Sequence, residues 1–332
     1  MGRAVGELMT FSMKNFYFIL IFFASISYNA QDNRLTGNWI LENIKYTNGK
    51  SLEVNHPLYS TFLEYNFFEN KLSINDNVIP YSIENNKIVT SSGKINFKFS
   101  DNYLIINNEN TDLAYYFLSS ENFLKTHPEF EPKQISNNNR IVYLENQIVK
   151  PIFKGDGSFN NYLSDHNADT TNIPSNSEFS IKFIINSKNK IENIEIIKSV
   201  SNAFDSKFIQ NLKSSEQYIN NFSSKDLLIT RKYIYNSNQY KKNNVKKSID
   251  KILVEGNKYF QKNDFNNAIK SWSKLESLEY SPEEKYLLDT ALIKLGISYL
   301  AIGKQEDACK TFKKVGDLTN FRVRNFLINY CN

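Results

Sequence analysis

The chain reads as a multidomain α+β protein: an antiparallel β-barrel or meander, then a small α+β domain, then α-helical repeat hairpins. Three observations predict this. Short alternating runs broken by Asn, Asp, Ser and Gly fill residues 34–118, the pattern of strands joined by tight turns. Strand and helix patterns then mix over residues 151–235. Last, Gly256, Tyr259, Ala268 and Trp272 recur as Gly296, Tyr299, Ala308 and Phe312, the copies 40 residues apart with internal offsets of 3, 12 and 16.

Residues 1–30 read as a secretory signal. Met13 and Lys14 precede the apolar run Phe16 to Ala24, and small and polar residues lead to Ala30. A basic start, a short apolar core and a small residue at the end suit cleavage near Ala30. Residues 1–12 form an upstream extension of the more regular leader that begins at Met13. The run is short for a permanent membrane helix, so no transmembrane span is expected in the mature chain. The expected location is the periplasm or cell envelope.

Domain 31–125 carries strand patterns at Trp39–Tyr46, Phe62–Phe68, Lys71–Asn75, Val78–Ile83, Lys87–Ser91, Ile95–Phe99, Tyr103–Asn107 and Leu113–Leu118. Its opening, Leu35-Thr36-Gly37-Asn38-Trp39, resembles the Gly-x-Trp start of lipocalin-like barrels. That resemblance implies a closed barrel with an interior that holds a small apolar ligand. The other reading is a barrel filled by its own side chains, which the very short strands favour. Residues 126–150 form a connector, in which Ile141–Leu144 adds a strand to either neighbour.

Domain 151–236 opens on Pro151-Ile152-Phe153-Lys154-Gly155 and a short helix, Phe159 to Leu163. Strands follow at Phe179–Asn186 and Ile191–Ile197, a helix at Phe204–Leu212, and a closing strand at Leu227–Tyr235. The order resembles the C-terminal domain of TonB-like proteins of Bacteroidota-type bacteria, through Pro-x-Phe-x-Gly, the paired strands, and Phe204-Asp205 opening the helix. The family's Trp-Pro is replaced by Gln217-Tyr218-Ile219, and its hairpin glycines by Ser187, Lys188 and Asn189. The resemblance implies an edge strand that pairs with a peptide from another envelope protein.

Residues 237–248 read as a polar linker, and 249–332 as helical repeats resembling the tetratricopeptide family. Ser281-Pro282-Glu283-Glu284 is a capping box that starts a helix stopped by Gly303. Leu318 to Tyr330 adds an amphipathic cap helix. The resemblance places partner-facing residues on the first helix of each hairpin: Leu253, Asn257, Phe260, Ile293, Ile297 and Leu300. Packing on the cap helix or the middle domain is the other role open to them.

Composition narrows the chemistry. The net charge of +5 is modest for 332 residues, and the lysines are scattered, so no nucleic-acid partner is expected. His56, His127 and His166 are isolated, and no CxxC spacing exists, so neither a metal nor a cofactor is expected. Asp165 to Asn176 resembles the start of a calcium loop but lacks its glycine and its bidentate glutamate. No catalytic constellation stands out, and the expected activity is non-enzymatic. Cys309 and Cys331 either bridge in an oxidising compartment or remain buried thiols. The expected function is an exported envelope protein that mediates protein–protein contacts. The alternative is a periplasmic carrier with a small apolar ligand in the barrel.

Overall fold

The computed structural model describes residues 34–137, 139–165, 177–235, 244–277 and 285–331. Residues Met1–Thr36 form one unit and Gly37–Asn332 another. All the described strands and helices belong to the second. The expected leader, the candidate calcium loop beyond Asp165, His166 and the capping box at 281–284 lie outside the described residues.

Eight strands open the unit: β1 (Gly37–Tyr46), β2 (Glu64–Phe68), β3 (Lys71–Ile74), β4 (Asn77–Glu84), β5 (Lys87–Thr90), β6 (Gly93–Ser100), β7 (Tyr103–Asn108) and β8 (Leu113–Ser119). They pair antiparallel in chain order, and β1 pairs with β8 to close a barrel. Closure leaves no strand edge. The tightest turns use residues that tolerate left-handed backbone: Asn75 and Asp76 at φ 47° and 69°, Asn85 and Asn86 at 49° and 61°. Those values belong to the primed turns whose twist matches paired strands.

Strand alternation sends Trp39, Tyr65, Phe67, Tyr81, Phe97 and Phe117 to one side, and all six are buried. Their rings meet: Tyr65 lies 4.9 Å from Phe117, Phe67 5.4 Å from Tyr81, and Trp39 5.8 Å from Phe99. The barrel interior is therefore packed with the chain's own aromatic side chains. Ile40 and Leu118 point the other way and are also buried, because they join the core of the next layer.

A short helix α1 (Ser120–Thr126) leads from the barrel to β9 (Gln134–Asn137) and β10 (Arg140–Leu144). The expected connector is thus ordered, and Ile141–Leu144 does add a strand, to the sheet that follows. Further on come β11 (Ile152–Phe153), α2 (Phe159–Asp165), β12 (Ser177–Ile185), β13 (Ile191–Lys198), α3 (Asn202–Ser215), β14 (Ile219–Asn220) and β15 (Leu227–Tyr235). The five-stranded sheet runs β13-β12-β15-β10-β9, with β10 and β15 parallel and the other pairs antiparallel. The β12–β13 turn works without glycine because Asn189 takes φ 64°. The Asn186 side-chain oxygen accepts from the Lys188 and Lys190 amides, both at 2.9 Å. Phe204, Phe208 and Leu212 of α3 lie on Phe179 and its neighbours.

Among the described residues, five α-helices follow: α4 (Asn244–Phe260), α5 (Phe265–Trp272), α6 (Lys285–Ala301), α7 (Gln305–Val315) and α8 (Phe321–Tyr330). Helix α4 begins at Asn244, inside the expected linker. The two repeat copies share one packing rule. A side chain at Gly256 would overlap the Trp272 ring, and one at Gly296 the Phe312 ring. The offset of 16 residues therefore pairs a bare stretch of the first helix with an aromatic on the second. The turns repeat too: Asn263 and Gly303 take φ 57° and 77°. The next amide then donates to Tyr259 O at 3.0 Å and to Tyr299 O at 2.9 Å respectively.

The glycines lead to a prediction. Helix propensity alone makes Gly296→Ala a gain of about 1 kcal/mol. The Phe312 ring makes it a loss instead, of about 1–3 kcal/mol from overpacking. Urea unfolding decides, and a raised midpoint would rule the packing argument out.

Cys309 of α7 and Cys331, the residue after α8, form a disulfide with Cα atoms 5.5 Å apart. The bridge spans 22 residues, a loop whose closure stabilises by about 3 kcal/mol in the chain-entropy account.

The modules share one core. Ile40 and Leu118 of the barrel, Phe123 and Phe130 after it, Phe179 and Phe208 of the sheet layer, and Phe321 of α8 belong to a single buried cluster. One buried ion pair crosses the same seam. Glu64 of β2 is fully buried, and its carboxylate lies 2.9 Å from Lys150 Nζ and accepts from Asn38 Nδ2 at 2.9 Å. Lys150 also reaches Asp76 at 3.0 Å. Burial works against the ammonium, but Glu64 and Asp76 outweigh it and raise the Lys150 pKa above its ordinary value.

Candidate functional site

The six residues expected to face a partner lie on α4 and α6, and the structure divides them. Ile297 is buried in the helical core, and Leu253, Phe260, Ile293 and Leu300 pack against that core partly buried. Asn257 is half-buried, and its Oδ1 accepts from Lys294 Nζ at 2.6 Å, which ties the first repeat to the second. Phe260, Ile293 and Ile297 come together in the wall of a cavity of about 210 Å³. Leu253, Asn257 and Leu300 do not line it.

The far wall of that cavity is the loop between β1 and β2, Val54 to Ser60. Val54 and Tyr59 pack against the helical core, so this loop of the barrel lies on the face of the repeats. Tyr59 makes three contacts to α8. Its ring sits 5.0 Å from Phe326, its carbonyl accepts from Asn325 Nδ2 at 2.6 Å, and its hydroxyl accepts from Asn329 Nδ2 at 2.9 Å. Desolvation by burial pushes the Tyr59 hydroxyl up to about 12, so it stays protonated across the physiological range.

Beside the loop, α8 is fastened by charge. Arg324 is 5% exposed, and its Nη2 donates to His127 Nδ1 at 2.6 Å and to Glu129 Oε1 at 2.9 Å. His127 Nε2 in turn meets Glu42 of β1 at 2.7 Å. A guanidinium can only donate, so the Nδ1 that faces Arg324 accepts and Nε2 is the nitrogen that donates to Glu42. The histidine is a strut of the seam rather than an isolated loop residue.

Lys294 was not among the expected site residues, and it is the most unusual group here. Its Nζ lies 5.9 Å from the centre of the Phe260 ring. Desolvation lowers its pKa. A sequence signal for it existed: it is a cation between Ile293 and Leu295 in the long apolar helix Lys285–Ala301. The roofing loop had no such signal, since nothing in Val54–Ser60 marks it as the neighbour of a helix more than two hundred positions away.

The mixed sheet offers a second exposed feature. Strand β13 lies at the edge of the five-stranded sheet, paired with β12 alone. Ile197 on it is 55% exposed. The β12–β13 pairing carries two register shifts, and irregularity in an edge pair discourages indiscriminate strand pairing.

Among the described residues, no group of three or more His, Cys, Asp or Glu side chains is placed to hold a metal ion. No helix among them is long and apolar enough to cross a membrane. The chain matches no family model, no curated protein and no solved structure.

Proposed function

We propose that the chain is an exported cell-envelope protein that acts by holding other proteins and catalyses no reaction of its own. The observation that carries this reading is the exposed edge of β13, a strand of eight residues with one side unpaired in the described sheet. An open edge binds an extended segment through backbone hydrogen bonds, and alternate side chains add selectivity. The likeness to a TonB-type C-terminal domain supports the same mode. The paired helices, similar in repeat pattern to tetratricopeptide hairpins, supply a second docking face. The Cys309–Cys331 bridge supports an oxidising compartment and therefore export. The carrier alternative has less support, because aromatic rings occupy the barrel interior.

The test compares three full-length baits in a crosslinked pull-down from the cell envelope: the natural chain, Ile197→Lys and Val254→Glu. Val254 is 70% exposed on α4, so neither substitution disturbs a core. Discrete envelope proteins lost with Ile197→Lys place the contact on the strand edge, and losses with Val254→Glu place it on the helices. Recovery of no envelope protein by any bait overturns the reading.

A further inference from the structure

The cavity beneath the β1–β2 loop is lined by two cations, Lys294 and Arg322, together with His56, and by no aspartate or glutamate among the described residues. Arg322 is held at its edge by Thr290 Oγ1 at 2.7 Å and by Asp289 at 3.5 Å. Lys294 is different, because its hydrogen bond goes to the neutral amide oxygen of Asn257. Among the described residues, no carboxylate lies within ion-pair distance of it. An ammonium has three donors, so two remain for an acceptor in the cavity. The desolvation that lowers its pKa is the cost an incoming anion would offset.

The rest of the wall is mixed, with Asn55, Tyr59, Ser60 and Thr290 beside an apolar set. That set is Phe260, Ile293, Ile297, Phe326, Val54 and Pro57. A volume of about 210 Å³ falls below the roughly 300–1,000 Å³ typical of drug-sized ligands. The β1–β2 loop supplies Val54, Asn55, His56, Pro57, Tyr59 and Ser60 to the wall, and the small volume suits a short ligand. We infer that this cavity is a binding site for a small amphiphilic carboxylate, with its head on Lys294 and its apolar body against Phe260, Ile293 and Ile297. The site is separate from the barrel interior and from the sheet edge.

Hexanoate and its neutral isostere hexanamide are the probes, titrated by calorimetry into the full chain and into Lys294→Met. Hexanoate is expected to bind saturably to one site, and hexanamide at least about tenfold more weakly, the usual effect of losing a charge-assisted hydrogen bond. Lys294→Met is expected to reduce hexanoate affinity to that of hexanamide and to leave hexanamide unchanged. Ile297→Phe, which fills the cavity and keeps the lysine, is expected to abolish both, with circular dichroism confirming that each variant folds. Equal binding of the two probes, binding of neither, or hexanoate affinity untouched by Lys294→Met overturns the inference.

Discussion

Phe321→Ala is expected to lower the stability of the whole unit by about 3–5 kcal/mol, the range for removing a large aromatic from a packed core. Phe321 is 9% exposed. Its ring lies 4.7 Å from Phe62, 4.9 Å from Phe130 and 6.0 Å from Phe123. Those three partners come from the barrel side and from the segment after it, so the residue joins the last helix to the first module. Urea unfolding of the full chain measures the loss, and Phe321→Leu should recover a large part of it by refilling the space. A loss below about 1 kcal/mol would mean that the tail is attached elsewhere.

Lys150→Met is expected to cost a similar amount, about 3–5 kcal/mol, through electrostatics rather than volume. The methionine keeps most of the stem but leaves Glu64 fully buried without its cation. Removing one member of a buried pair strands the other, whereas replacing both is often close to neutral. The double variant Lys150→Met with Glu64→Leu should therefore be more stable than Lys150→Met alone. A double-mutant cycle measured by thermal unfolding gives the coupling, and additive effects of the two substitutions would sink the argument.

The strands and turns of the barrel were legible in the sequence because their information is local. Asn75-Asp76 and Asn85-Asn86 both mark left-handed turns and sit between alternating runs. The repeat of Gly256 to Trp272 at Gly296 to Phe312 was legible for the same reason, although its physical meaning, a ring lying on a glycine, needed the structure. Strand β10 was half-legible: its apolar run marks a strand, but its parallel pairing with β15 depends on residues more than eighty positions away. The candidate site was the least legible part. Three of its apolar residues, Phe260, Ile293 and Ile297, stand at positions that the tetratricopeptide resemblance marks by their offset from the two glycines. The loop over them and the charge of Lys294 depend on how the barrel and the helices meet, and no local pattern encodes that.

The contact between Tyr59 and Asn325 joins positions 266 residues apart. Ordering so much intervening chain before any reward is entropically costly, and topologies rich in such contacts fold slowly. The barrel can zip up from neighbouring hairpins, but its β1–β2 loop and the faces of Phe123 and Phe130 stay uncovered until α8 arrives. During synthesis, the first module therefore waits, with apolar surface open to chaperones or to misassociation, until the last helix is made.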